Sequence, residues 1–131
     1  MKVVFDTNVL ISGFLTETGI SQHVFTAGLK RHQVILSEFI LDEMKQKLTG
    51  KLEIAAAWVE PLLLFLRKRT TVLKVPSNPR IQFTDKKDVP ILSLLEICKP
   101  HYLITGDKLL QGLKRFGPTL ILSPREAAEI L

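Results

Sequence analysis

Short apolar runs alternate along this chain with stretches of helical periodicity. Residues Lys2–Phe5, Val34–Leu36, Thr71–Val75, Tyr102–Thr105 and Thr119–Leu122 are brief and rich in Val, Ile, Leu and Thr, the pattern of buried strands. Between them, residues 21–30, 38–48, about 53–69, 89–98, 108–116 and 125–131 carry apolar side chains at three- and four-residue spacings and read as helices. Pro61 is expected to break or kink the longest of these. Helix starts are marked by Ser37, by Asp88 with Pro90 close behind, and by Ser123-Pro124-Arg125-Glu126, a capping box with proline at the first helical position. No repeat or linker-like stretch divides the chain, so residues 1–131 are expected to form one domain.

Strand-helix alternation predicts an α/β fold: a three-layer α/β/α sandwich whose central parallel sheet has about five strands, because parallel neighbours need helical crossovers that cover both faces. In open sheets of this kind ligands bind beyond the carboxyl ends of the strands, near the reversal of strand order. Candidate chemistry gathers at that edge. The first strand ends in Asp6-Thr7-Asn8, the fourth in Thr105-Gly106-Asp107, and Asp88 opens the helix between the third and fourth strands. A further acid, Glu43, lies on the helix after the second strand. On a helical projection it falls roughly 110° from the centre of the Ile40, Leu41, Met44 and Leu48 face, at its rim, while Glu38, Asp42 and Lys45 point to solvent.

Acids brought together without a cation repel one another, by about 4 kcal/mol for two charges ~4 Å apart at an effective dielectric of 20. Carboxylates accompanied by Thr and Asn side chains suit a hard divalent ion, Mg²⁺ or Mn²⁺, and phosphodiester cleavage is the natural use of such a site. Simpler roles exist for each residue taken singly. Asp88 and Asp107 precede helices and could serve only as N-caps, Asp6-Thr7-Asn8 could be a turn, and Glu43 a solvated helix residue. Their coincidence at one sheet edge favours the site. Asp85, one turn before Asp88, reads as a loop residue that could join it.

Composition narrows the partners. The chain has 131 residues, 46% hydrophobic and 24% charged, with mean hydropathy +0.20, ordinary for a folded domain. Its longest apolar stretch, Ile54 to Leu66, is interrupted by Glu60 and Pro61 and falls short of the ~20 residues a membrane helix needs. The opening residues lack the apolar core of a signal peptide, so a cytoplasmic location is expected. Cys98 is the single cysteine, and with three scattered histidines it matches no zinc spacing. A net charge of +5 suits a polyanionic partner such as nucleic acid.

Taken in order, Val3-Val4-Phe5-Asp6-Thr7-Asn8-Val9-Leu10, Ser37 with Glu43 six residues on, Asp85-Lys86-Lys87-Asp88, Tyr102-Leu103-Ile104-Thr105-Gly106-Asp107 and Ile121-Leu122-Ser123-Pro124 are similar to the motifs of PIN-domain ribonucleases. The resemblance spans essentially the whole chain. It implies that Asp6, Glu43, Asp88 and Asp107 are catalytic and bind a divalent metal, with Asn8 and Thr105 as polar supports. It further implies a single-stranded RNA substrate and a frequent biology as the toxin of a toxin-antitoxin pair, with an antitoxin protein as partner. One departure is that Lys87 and Val89 flank Asp88, where a further acid often stands in the family.

Among the basic clusters, Lys30-Arg31-His32, Arg67-Lys68-Arg69 and Lys114-Arg115 read as solvated helix ends or loops, whereas Lys86 and Lys87 are expected at the mouth of the site, binding RNA phosphates. Trp58 and Leu62–Leu66 form a stretch apolar nearly all round, expected in the core, with a homodimer or antitoxin contact as the other reading. A haloacid-dehalogenase-type phosphohydrolase needs a second Asp two residues after the first, where this chain has Asn8. No glycine-rich turn follows the first strand, which disfavours a dinucleotide-binding domain. The alternatives kept are a non-catalytic RNA-binding module of the same fold, or an RNA-processing nuclease outside a toxin-antitoxin system.

Overall fold

The computed structural model describes residues 1–16 and 19–131. Strands β1 (Lys2–Phe5), β2 (Gln33–Ser37), β3 (Thr71–Leu73), β4 (Tyr102–Ile104), β5 (Arg115–Phe116) and β6 (Thr119–Leu122) form a six-stranded sheet in the order β3-β2-β1-β4-β6-β5. All neighbours are parallel except β5 and β6, which pair as a short antiparallel hairpin. From β1 the chain moves outward to β2 and β3, then returns to place β4 on the other side of β1. With right-handed crossovers, this reversal puts the helices of the first half on one face and those following β3 and β4 on the other. The expected three-layer α/β/α architecture is therefore the observed one, with one additional edge strand.

Helices α1 (Thr7–Leu15), α2 (Ile20–Arg31), α3 (Glu38–Gln46), α4 (Ala56–Arg69), α5 (Val89–Cys98), α6 (Lys108–Leu113) and α7 (Pro124–Ala128) connect the strands. The Ser37 hydroxyl accepts from the Ile40 amide at 3.2 Å to start α3, and the Ser123/Glu126 capping box starts α7 as its sequence predicts. Three expectations need correction. Residues 7–15 form a helix capped by Asp6, where the sequence pattern predicted no element beyond a possible turn at Asp6-Thr7-Asn8. The helix predicted over 108–116 stops at Leu113, where Lys114 adopts a positive φ of 60° and turns the chain into β5. Helix α4 runs uninterrupted through Pro61, which lies in its second turn. Beyond α3 the helix widens into a single π turn over Lys47–Lys51.

The core lies on both faces of β1, whose Val3, Val4 and Phe5 are fully buried, and includes Leu10, Leu36, Ile40, Met44, Leu92, Leu94 and Leu103. Helix α2 approaches β1 so closely at Gly28 that a β-carbon there would stand 2.8 Å from Cζ of Phe5. The Phe5 ring meets Phe25 edge-on at 5.6 Å between centroids. The apolar stretch of α4 is only partly core: Val59, Leu63 and Leu66 are buried, while Trp58 is 77% and Leu64 53% exposed. At the surface, Arg67 donates to both oxygens of Glu38 at 2.6 and 2.9 Å, and Lys45 pairs with Glu60 at 2.9 Å, fastening α3 to α4. Among the described residues no helix is long and apolar enough to cross a membrane.

Candidate active site

Asp6 is the first residue beyond β1, beside the reversal of strand order. Its amide continues the β1–β4 ladder by donating to the Ile104 carbonyl at 2.9 Å, and its own carbonyl accepts from Val9 and Leu10 at the start of α1. The carboxylate is held at both oxygens: Oδ1 accepts from the Thr7 amide at 2.8 Å and Oδ2 from the Thr105 hydroxyl at 2.7 Å. Burial nevertheless pushes this carboxyl above its ordinary range. The Thr105 and Thr7 hydrogen bonds oppose that rise, and the charges of Glu43 and Asp107 add to it.

Thr105 is the first residue beyond β4 and is fully buried. Besides donating to Asp6, its Oγ1 accepts from the Asp107 amide at 3.0 Å, and its carbonyl accepts from the Gln111 side chain at 2.7 Å. A single hydroxyl thus ties together two acids that are far apart in sequence. Asp107 is a true N-cap: Oδ1 accepts from the amides of Leu109 and Leu110 at 2.8 and 3.3 Å, opening α6.

Asp88 behaves otherwise. It stands at the N-cap position of α5 yet makes no side-chain cap bond, so the simple capping role does not account for it. It is 9% exposed, and its Oδ2 is buried with no hydrogen-bond partner. Burial, then hydrogen bonding with Asp107, then the charges of Asp107, Asp6 and Asp85, push its carboxyl up to about 7. Burial is the first of these causes, so desolvation more than the neighbouring carboxylate favours the protonated form. Asp85, the residue expected in the loop, accepts from the Lys87 amide at 3.0 Å and so nucleates the 3₁₀ turn Lys86–Asp88 that delivers Asp88.

These groups line one cavity of about 170 Å³, bounded by Asp6, Asn8, Glu43, Asp85, Asp88 and Asp107 on its polar side and by Phe39, Ile40 and Ile91 on its apolar side. Its volume is well above the roughly 10–15 Å³ that one water needs. Lys87 also lines it, as expected. Lys86 does not: it borders a separate hollow with Ser77, Pro79, Ile81 and Val89, because consecutive residues of the 3₁₀ turn point in different directions. Two further lining residues, Phe39 and Lys47, were not anticipated as part of the site; Phe39 brings an exposed aromatic ring, while Thr7 of the expected Asp6-Thr7-Asn8 motif brings a buried hydroxyl without a partner. Lys47 reaches in from the π turn to donate to Asn8 Oδ1 at 3.1 Å, 4.0 Å from Glu43 Oε2. Only Lys47 left a sequence signal, its position four residues after Glu43 on a helix.

Whether these residues suit a divalent ion can be judged from their chemistry. The cavity offers hard oxygen donors, an unsatisfied buried carboxylate oxygen and mutual repulsion that a cation would relieve. Among the described residues no three His, Cys, Asp or Glu side chains are drawn together tightly enough to enclose an ion. Asp6 and Asp107 spend one carboxylate oxygen each on backbone amides.

The family described as the PIN domain matches residues 2–109. A crystal structure of VapBC2 from Rickettsia felis bound to a DNA fragment from their promoter contains a chain of similar fold, with a TM-score of 0.66 and 12% identity, covering 94% of this chain and 98% of that one. No curated protein matches.

Proposed function

This chain belongs to the PIN-domain family, and from that premise we propose that it is a divalent-metal-dependent endoribonuclease acting on single-stranded RNA. The observation that carries the reading is the convergence of Asp6, Glu43, Asp88 and Asp107 on one cavity at the carboxyl edge of the sheet, with a buried oxygen of Asp88 left unpartnered. Those four residues would hold Mg²⁺ or Mn²⁺, with Asn8 beside them. A bound ion of this kind supplies a water of lowered pKa and polarises the phosphoryl oxygen.

The chain's own groups do the positioning. Thr105 fixes the carboxylate of Asp6 and the backbone of Asp107 in one register, so that the two acids keep a set spacing. Lys87 lines the cavity and offers an ammonium to a phosphate of the bound strand. Phe39, 39% exposed on the apolar wall, offers a ring on which an unstacked base can lie.

Purified protein incubated with single-stranded and structured RNAs, with EDTA and with Mg²⁺ or Mn²⁺, tests this directly. Cleavage should require the ion, favour single strands and fall by orders of magnitude in Asp6→Asn, which keeps the shape of the side chain. Equal cleavage by Asp6→Asn, or undiminished cleavage in EDTA, refutes the assignment.

The likeness to a chain of a VapBC2 complex supports a role as the toxin of a toxin-antitoxin pair, with an antitoxin protein as partner, and a cytoplasmic location would go with that role. Expression in a bacterial host should then arrest growth, and Asp6→Asn should not. Growth unaffected by an active enzyme points to an RNA-processing nuclease instead.

A further inference from the structure

Lys47 stands in the acidic cavity without a part in the chemistry above. Its ammonium donates to Asn8 Oδ1 at 3.1 Å and lies 4.0 Å from Glu43 Oε2, with the two charged side chains 40% and 28% exposed. Among the described residues its ion pairing is with Glu43 alone. An ordinary i,i+4 pair on a helix would bring ammonium and carboxylate into direct contact. Here the closer partner is an amide oxygen on another helix, 39 positions away, and both partners line the cavity. The residue also opens the π turn, its amide reaching the carbonyls of both Glu43 and Met44. Such local widening of a helix occurs frequently at functional sites. An ammonium is a compact, strongly hydrated charge that seeks the same hard oxygen donors as a divalent ion.

We propose that Lys47 is the resident counter-cation of the acid cluster, balancing the Glu43 and Asn8 side of the cavity until a divalent ion displaces it, and thereby setting the ion concentration at which the site loads. This rests on the metal reading above and assigns its regulation. The loose 4.0 Å approach to Glu43 makes the lysine easy to displace, while its single charge leaves Asp88 and Asp107 unbalanced, so it is a partial substitute for the ion.

Calorimetric titration of the full chain with Mn²⁺, without RNA, tests the proposal in wild type, Lys47→Met and Lys47→Arg. Removing one positive charge within several ångström of a divalent ion is worth on the order of tenfold in Kd even at the dielectric of water. Lys47→Met should therefore bind Mn²⁺ about tenfold more tightly than wild type, and Lys47→Arg about as wild type does. Thermal melts in EDTA establish that each variant is folded. Tightened binding in Lys47→Met, or binding seen only in that variant, supports the proposal. Equal or weaker binding by a folded Lys47→Met, with wild type still binding, overturns the role of Lys47 and leaves the metal site standing. Absence of Mn²⁺ binding in all three proteins overturns both.

Discussion

Replacing Asp88 by Asn should stabilise the metal-free protein at alkaline pH, and the size of the effect follows from its surroundings. The carboxyl is pushed up to about 7 from an ordinary 3.8, chiefly by burial and secondly by Asp107. Because the folded state binds this proton more tightly than the unfolded chain does, stability is unpenalised below about pH 4 and falls as pH rises toward 7. Each pH unit of the window is worth about 1.4 kcal/mol, which sets a ceiling of about 4 kcal/mol. The cavity is open to water and counter-ions that screen part of the repulsion, leaving about 1–2 kcal/mol above neutrality. Asn carries no charge to be repelled and has nearly the same shape, and since Asp88 makes no side-chain cap bond no capping is lost. In EDTA at pH 8, Asp88→Asn should therefore melt about 3–8 °C above wild type, and at pH 4 the two should nearly coincide. With Mn²⁺ at a hundred times its Kd, wild type should gain about 2.7 kcal/mol and the variant less. Melting curves at pH 4, 6 and 8, with EDTA and with Mn²⁺, provide the comparison. A variant that melts at or below wild type at pH 8 in EDTA, or a difference that does not change with pH, refutes the account of Asp88 as a frustrated acid.

Other consequences can be checked separately. Thr105→Val removes the hydroxyl between Asp6 and Asp107 at nearly constant volume, and should lower cleavage by about 10–100-fold while costing about 1–3 kcal/mol of stability, read from activity assays and urea unfolding. On a cleavage-dead background, Lys87→Ala should reduce the salt dependence of single-stranded RNA affinity by about 0.7 in log–log slope, whereas Lys86→Ala, outside the cavity, should leave it near wild type; equal effects would contradict their different placement. Gly28→Ala forces a methyl into the ring of Phe5 and should destabilise by about 1–3 kcal/mol in chemical denaturation.

Much of this architecture was legible because the central strands β1, β2, β4 and β6 are largely buried and consist mostly of Val, Ile, Leu and Phe. The limits of β1 and β6 coincide with those read from the sequence, and the strand-end acids come together as the alternation implies. Helix α1 was hidden for a related reason. Val9, Leu10 and Ile11 are buried side by side, and the exposed face is marked by only two polar residues, Asn8 and Ser12, too short a pattern to stand out beside an Asp6-Thr7-Asn8 that also suits a turn. Strand β5 has only two residues and depends on its pairing with β6, a contact local pattern does not encode. Trp58 and Leu64 looked like core because hydropathy alone does not say which side of an apolar helix is covered. Lys86 and Lys87 are neighbours in sequence, but the 3₁₀ turn sends them to different hollows.

The two ways in which the acids are mounted imply unequal stiffness. Asp6 and Asp107 hang from the central β1–β4 ladder and are cross-linked by Thr105, so moving either requires shearing the middle of the sheet. Asp88 sits on a single 3₁₀ turn and Lys47 at the start of a single π turn, elements held by few backbone bonds, although Leu48 anchors the π turn in the core. One wall of the cleft is therefore as rigid as the protein itself, and the other can breathe. In hydrogen exchange the Asp6 and Asp107 amides should be released only with global unfolding, while the amides of Lys87 and Thr49 exchange through local opening. A strand entering the cleft would meet a fixed anvil on one side and an adjustable jaw on the other.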